Sequence, residues 1–274
     1  MHKQTSKVGK RNMTFNDRTV TKLWQEIPDA ENPYLAARCR CHGYDILELA
    51  EKLSFVEVLF LLFKGELPSR QEARLLETIF IAMINPGPRH PATRAAMNAA
   101  VSRTNTQHLL PIGLSVLSGS YLGGGEVLAA MRFLADNLSL HPEETAAACL
   151  LPQRPLEGDF HPAPGFGSRF GGIDPLPAQL ADILCEMPGC GKNLRWGKDF
   201  AALLRPQAMG WLSTGIAAAT LCDLGFTPWA GAGLFQLMNA PGILAHGLEL
   251  ADKPLTFMPF LAEEHYVIAG QAKK

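Results

Sequence analysis

The chain has 274 residues, of which 47% are hydrophobic and 19% charged, and its formal net charge is −1. This composition is too apolar for a disordered chain and is sufficient to bury a large core. Because the charge is nearly neutral and no basic stripe is visible, we expect no nucleic-acid partner. The polar N-terminus lacks the apolar segment of a secretory signal, and six cysteines in a chain of this length do not indicate a disulfide framework. A cytoplasmic protein with free thiols is the simplest interpretation.

Two long uncharged stretches, residues 206–222 and 224–245, resemble membrane spans at first sight. Both contain Ser, Thr, Asn, Gly or Pro and are only moderately apolar, whereas a span needs about 20 predominantly apolar residues. Helices buried on all sides, or at a subunit interface, have the same composition. We therefore expect no membrane association.

The N-terminal half of the sequence predicts a series of helices. We expect a polar tail over residues 1–30 and the folded domain over residues 31–274, with short strands only near residues 34–45. Capping boxes at Ser54–Glu57 and Ser69–Glu72 predict two helix starts. Apolar spacing and Pro or Gly stops predict further helices over residues 92–102, 109–118, 126–137 and 142–149.

The C-terminal half begins with a Pro- and Gly-rich loop over residues 151–177, which at this length favours a functional role. A helix over residues 178–185 follows, then a loop that carries Cys190, Gly191 and Trp196. Helices are expected over residues 208–224, 228–237 and 241–250, with the break before Pro241. The fold class is therefore all-α.

Common catalytic and metal motifs are incomplete. The glycines near residues 119–125 and 165–167 lack the remainder of a phosphate loop or a dinucleotide fingerprint. The pairs Cys39–Cys41 and Cys185–Cys190 lack structural zinc spacing. We expect no metal site.

Six segments in order resemble the citrate synthase family, and in particular its short citryl-CoA lyase-like branch. His42–Pro68 is similar to the family pattern RGYDI..LAE.SSFEEV.YLL..GELP, and Gly119–Glu126 occupies the place of GPLHGGANE. Pro164–Pro175 is similar to PGFGHR followed by DPR, and Thr214–Gly225 to DGAIAA followed by DLG. The other two segments are Gly87–Arg94 and Pro241–Glu249.

This resemblance implies a mostly helical large domain, a smaller helical domain at approximately residues 140–240, and a homodimer. It also implies a cleft for an acyl-CoA beside a small carboxylic acid. The family makes or cleaves a carbon–carbon bond between acetyl-CoA and a 2-oxo acid, with CoA as part of the substrate and no separate cofactor. In the family the segment like Pro164, Gly165, Phe166 and Gly167 lies at the CoA site.

Several residues depart from the family pattern at positions that carry its chemistry. The catalytic positions hold Ser168, in place of a histidine, and Thr214, in place of the carboxylate base. Leu176 and Asn239 replace arginines, and Leu122 replaces a histidine. The remaining candidates for substrate binding are Arg169, His90, Asn239 and His246.

Two functions remain open. The first is a citryl-CoA lyase-like or citrate synthase-like enzyme with an altered active site that accepts a less charged partner, since two arginine positions are lost. The alternative is a catalytically silent homologue that binds a CoA ligand or pairs with an active paralogue. The loss of base and donors together favours the second on mechanistic grounds, because catalytic groups that act as a unit leave little activity when removed. The intact glycine loop favours retained CoA binding, and the enzyme is the interpretation adopted first.

Overall fold

The computed structural model describes residues 18–151 and 159–266. The chain forms two compact units, the first extending to Leu67 and the second beginning at Pro68. The small domain expected at approximately residues 140–240 falls within the second unit and stays a prediction.

The first unit is a small sheet followed by two helices. Its antiparallel strands have the order β1–β2–β3, with bounds Trp24–Pro28, Ala36–Cys41 and Tyr44–Asp45. The helices are α1 (Ile46–Lys52) and α2 (Phe55–Lys64). The capping box that starts α2 at Ser54 is confirmed. Cys41, Leu49 and Leu61 form the core of this unit.

Strand β1 lies within residues 1–30, where a polar tail was expected. Its residues bond to β2, with Trp24 opposite Cys41 and Ile27 opposite Arg38. The backbone groups of a polar segment are satisfied here by a partner strand, which the composition of the segment alone does not indicate. The first 17 residues of the expected tail lie outside the described residues.

The second unit contains nine described helices and a second small sheet. The helices are α3 (Arg70–Ala82), α4 (Pro91–Val101), α5 (Leu109–Leu117), α6 (Gly124–Asn137), α7 (Pro142–Cys149), α8 (Pro175–Glu186), α9 (Lys192–Leu204), α10 (Ser213–Asp223) and α11 (Pro228–Glu249). The strands are β4 (Phe160–Ala163), β5 (Phe166–Ser168) and β6 (Gly210–Trp211), antiparallel in that order. Short 3-10 turns lie at Thr106–His108, Arg205–Gln207, Leu255–Phe257 and Glu263–His265. The helical fold class is confirmed, whereas strands β4 to β6 were not expected.

Helix α9 occupies a segment that was expected to be a loop. No side chain of its own N-terminal residues caps it. Instead the carboxylate of Asp223, some thirty residues later, accepts hydrogen bonds from the backbone N–H groups of Gly191, Asn193 and Leu194 at 2.8–3.0 Å. The helix start was missed because its cap is not local in sequence.

We expect Asp223→Ala to lower the free energy of unfolding by about 2 kcal/mol, since it removes the acceptor of several N–H groups at the start of α9. Urea denaturation measures this change. The matched control is Asp199→Asn on an exposed position of α9, which should change the free energy by less than about 0.5 kcal/mol. Equal effects of the two substitutions would contradict the capping role.

Helix α11 continues through Pro241, where a break was expected. Proline has no N–H to donate, and the N–H of the next residue, Gly242, bonds outside the helix to the carbonyl of Ile84 at 2.9 Å. Both halves of α11 are buried, with Leu234 and Met238 before the proline and Ile243 after it. Packing on both sides therefore holds the two halves in one helix.

An aromatic cluster lies between the second sheet and α9. The ring of Phe166 lies 4.8 Å from Phe200 and 4.5 Å from Trp211, and Trp196 stacks on Phe200 at 5.1 Å. This cluster fixes β5 and β6 against the helices. No helix in the described part of the chain is long and apolar enough to cross a membrane.

Candidate functional site

The main candidate site is a cavity of about 160 Å³ in the second unit. Residues at or next to the ends of α3, α4, β5, α8 and α10, from the middle of α11 and from the loop before α6 line it. They are Ala82, Met83, Asn85, Pro86, His90, Leu122, Arg169, Asp174, Leu176, Ser213, Thr214, Phe235 and Asn239. Four of the candidate residues from the sequence, Thr214, Arg169, His90 and Asn239, are therefore brought together.

Thr214 lies at the start of α10, on the cavity wall, with 2% of its surface exposed. Its hydroxyl donates a hydrogen bond to Oε2 of Glu126 at 3.1 Å. A hydroxyl has one proton to donate. Thr214, which the resemblance predicts to stand at the family's base position, therefore donates its hydroxyl proton to a buried carboxylate.

Glu126, in the first turn of α6, is 3% exposed and collects donors from several segments. Besides Thr214, it accepts from the N–H of Leu122 at 2.8 Å, the N–H of Gly165 at 3.4 Å and Nδ1 of His161 at 2.6 Å. Burial raises the pKa of this carboxyl, but the hydrogen bonds and the charge of His161 outweigh it, so the pKa is lowered overall. Glu126 is therefore a carboxylate that joins the loop before α6, strand β4, the turn before β5 and helix α10.

Leu122 has a left-handed backbone, with φ of 57°. This conformation is strained for a residue with a side chain. Two polar groups hold it: its N–H donates to Glu126, and its carbonyl accepts from Nε2 of His90 at 3.1 Å. The strained residue forms part of the cavity wall.

His90 caps α4, and both nitrogens of its ring form hydrogen bonds within the protein. Nδ1 accepts from the N–H of Ala92 at 3.2 Å, which leaves the proton on Nε2 for Leu122. Burial lowers the pKa of His90 most, and the nearby charge of Arg169 adds to this, although the bond to Leu122 opposes it. The geometry and the pKa both indicate a neutral ring.

Arg169 follows β5 and is half-buried, with its guanidinium over the ring of Phe170 at 5.2 Å. Its Nε is buried and has no hydrogen-bond partner. Asp174 lines the same cavity and caps α8 by accepting from the N–H of Leu176 at 3.3 Å. Asn239 donates to the carbonyl of Phe235 at 2.9 Å.

Two other candidates lie off the cavity wall. Ser168 is fully buried in β5, and its hydroxyl donates to the carbonyl of Gly172 at 3.2 Å. His246 contacts the cavity wall from outside, because its Nε2 lies 3.3 Å from Nδ2 of Asn85, and Asn85 lines the cavity.

The loop of Pro164, Gly165, Phe166 and Gly167 is largely occupied by contacts within the protein. Gly165 accepts from the N–H of Leu212 at 2.9 Å, and Gly167 pairs with Gly210 in the sheet. The side chain of Phe166 lies in the aromatic cluster. Contact of this loop with CoA stays a prediction.

Sequence reasoning missed three residues next to the cavity lining, namely Glu126, His161 and Tyr121. Nε2 of His161 is buried without a partner, and its ring stacks on Tyr121 with centroids 4.3 Å apart. Glu126 is the last residue of the segment that resembles GPLHGGANE, so the family resemblance could have identified it as a candidate. No local pattern places His161 beside it. Within residues 18–151 and 159–266, no group of three or more His, Cys, Asp or Glu could hold a metal ion.

A second cavity, of about 200 Å³, lies between α8, α9 and β6. Its walls are alanines, and its polar lining consists of Lys198, Arg205, Asp182 and the indole of Trp211. Nε1 of Trp211 is a buried donor without a partner. Ile173 lines this cavity and Asp174, the next residue, lines the first. The two cavities therefore adjoin the same short segment.

Comparisons with known proteins agree with this architecture. The family model of the citrate synthase C-terminal domain matches residues 13–139. The structure of citryl-CoA lyase from Hydrogenobacter thermophilus superposes with a TM-score of 0.75 at 26% identity, covering 93% of this chain and 96% of that one. This chain has a citrate synthase-like fold.

Two further structures share the fold of the citrate synthase-like chain. Citrate synthase from Thermotoga maritima gives a TM-score of 0.56 at 16% identity, covering 93% of this chain and 95% of that one. ATP citrate lyase from Methanothrix soehngenii, solved with citrate and coenzyme A, gives 0.66 at 16% identity, covering 95% of this chain and 44% of that one. No curated protein sequence matches.

Proposed function

We propose that this citrate synthase-like chain binds a CoA thioester and makes or cleaves a carbon–carbon bond between an acyl-CoA and a 2-oxo acid, in an altered active site. One observation carries the proposal: Arg169, with a buried unpaired Nε, lies in the same cavity as Thr214, which occupies the family's base position. A guanidinium with unused donors is suited to a carboxylate.

The second cavity supports the CoA part of the proposal. Its cation Arg205 is suited to a phosphate group, whereas Lys198 is already paired with Asp182 at 2.7 Å. Its alanines suit an apolar or aromatic group, and the buried Nε1–H of Trp211 has no hydrogen-bond partner within the protein. The loop expected to contact CoA pairs with β6, which lines this cavity. A thioester bound there would direct its acyl group past residues 173 and 174 into the first cavity.

The reaction requires an acid–base group. In the cleavage direction, a base takes the hydroxyl proton of a 3-hydroxyacyl-CoA, and the bond between carbons 2 and 3 breaks. The electron pair forms the thioester enolate, which takes up a proton at carbon 2, and carbon 3 becomes the ketone. Asp174 is the carboxylate on the described wall of the cavity and is our candidate for this proton transfer.

The silent homologue remains the alternative, and a specific observation favours it. The hydroxyl proton of Thr214 is already donated to Glu126, so this position offers no proton acceptor like the carboxylate it replaces. Such a protein would bind CoA without turnover, or would assist an active paralogue. A homodimer and a cytoplasmic location remain part of the proposal.

Calorimetric titration with CoA and acetyl-CoA, with and without oxaloacetate, tests the proposal. We expect both nucleotides to bind, and Arg205→Ala to weaken binding about tenfold because one charge-assisted contact to phosphate is lost. Arg70→Ala, an exposed arginine at the start of α3, is the control and should leave the affinity unchanged. Binding with turnover of citryl-CoA supports the enzyme, and binding without turnover of any 3-hydroxyacyl-CoA supports the alternative. No binding at all would contradict the enzyme and the silent CoA binder, and would leave only the pairing with an active paralogue.

A further inference from the structure

The first cavity offers one permanent positive charge. Among the residues described on its wall, Arg169 is the one Lys or Arg, and Asp174 is the one carboxylate. Arg169 keeps its Nε unpaired and is held from one side by the ring of Phe170. A planar guanidinium binds one carboxylate through two parallel hydrogen bonds. The positive charge in this cavity is therefore matched to a single carboxylate.

The other polar side chains on the wall supply no permanent positive charge, and three of them donate hydrogen bonds within the protein. His90 is neutral and gives its proton to the carbonyl of Leu122, Asn239 donates to Phe235, and Thr214 donates to Glu126. A second carboxylate of a ligand would lie near these groups without a cation to pair with. Burial of an unpaired charge is strongly unfavourable.

The rest of the cavity favours apolar groups and disfavours negative charge. Met83, Leu122, Leu176 and Phe235 supply apolar surface, and the carboxylate of Asp174 would repel a second carboxylate. An apolar cavity of about 150 Å³ holds a six-carbon ring. The cavity of about 160 Å³ therefore fits an acid of roughly six to eight non-hydrogen atoms.

We propose that the carbonyl substrate of this site is a 2-oxo acid with one carboxylate and a small apolar substituent, rather than a dicarboxylate such as oxaloacetate. The carboxylate lies on Arg169, and the substituent lies against Leu176, Leu122 and Phe235. This proposal rests on the proposed function for the identity of the reaction, but its binding chemistry depends only on the first cavity.

Calorimetry on the full chain, with saturating CoA and also without it, provides the test. The titrants are pyruvate, 2-oxobutanoate, 3-methyl-2-oxobutanoate and oxaloacetate. We expect at least one of the monocarboxylates to bind tenfold or more tightly than oxaloacetate. Arg169→Ala should weaken the binding of that monocarboxylate at least tenfold. Arg169→Lys should restore only part of the lost affinity, because lysine keeps the positive charge but lacks the forked guanidinium that binds a carboxylate through two hydrogen bonds. Arg70→Ala is the matched control.

Leu176→Arg supplies a second test in the opposite direction. Leu176 is 68% exposed, so the larger side chain fits without disturbing the core. The added cation should increase the affinity for oxaloacetate about tenfold. The affinity for 2-oxobutanoate should fall, because its substituent loses the apolar contact with Leu176.

The outcomes separate the two proposals. Equal or tighter binding of oxaloacetate by the unmodified protein would overturn the monocarboxylate assignment, and so would the absence of binding by every acid. Preferential binding of a monocarboxylate to Arg169 without any binding of CoA would support the assignment while contradicting the proposed reaction.

Discussion

Replacement of Glu126 by alanine should lower the free energy of unfolding by about 3–5 kcal/mol, the range for removal of one partner from a buried charged pair. The substitution leaves the N–H of Leu122, the N–H of Gly165 and the hydroxyl of Thr214 without their acceptor. It also removes the contact that holds Leu122 in its left-handed conformation. Urea denaturation at neutral pH measures the loss. Glu144→Gln, on an exposed position of α7, is the control.

The stabilisation that Glu126 provides should depend on pH in a defined direction. The pKa of Glu126 is lower in the folded protein than its usual value of 4.5. Its ionisation therefore stabilises the folded state above that value, and the stabilisation is lost as the pH falls through the lowered folded pKa. We expect the stability difference between the unmodified protein and Glu126→Gln to be largest above about pH 5 and to shrink below about pH 4. A difference that grows on acidification would contradict a lowered pKa.

Alanine at Gly215 should destabilise the protein by about 3 kcal/mol, although alanine normally favours a helix. Gly215 lies in the first turn of α10, where a Cβ would overlap the carbonyl group of Gly165. Both sides of this contact are backbone, so neither can move aside without shifting β5 or α10. Thermal or urea unfolding measures the effect.

Gly233 in α11 provides a matched helical control. It is exposed, and a Cβ built there has no atom within 4 Å. Gly233→Ala should therefore stabilise the protein by about 0.5–1 kcal/mol. Opposite signs at the two glycines are the expected result. A stabilising Gly215→Ala would show that α10 and the turn at Gly165 are not in close contact.

The sequence by itself determined the helical class, several helix starts and the family resemblance. Capping boxes at Ser54 and Ser69 are local patterns in which a side chain bonds the backbone three residues away, and both occur as predicted. From the resemblance, the sequence also predicts that Thr214 and Leu176 stand where the family has a carboxylate base and an arginine, and this stays a prediction.

Elements that depend on distant partners were not predictable. Helix α9 starts at a cap supplied by Asp223, and strand β6 exists because Gly210 pairs with Gly167. Helix α11 passes Pro241 because both of its halves are buried. In each case the partner is remote in sequence, so local propensity was outweighed by tertiary contacts.

The candidate site likewise has features that the sequence predicted and features that only the tertiary structure decided. The sequence predicted Arg169, His90, Asn239 and Thr214 as polar candidate residues, but only the tertiary structure decided which of their donors are bonded within the protein. The structure also explains the glycines at β5 by packing within the protein and not by the approach of a ligand. Gly165, before the strand, packs on Gly215, and a Cβ on Gly167, within the strand, would overlap the carbonyl of Phe160. Residue types are encoded one position at a time, whereas hydrogen-bond satisfaction and close packing are properties of groups that meet only after the chain has folded.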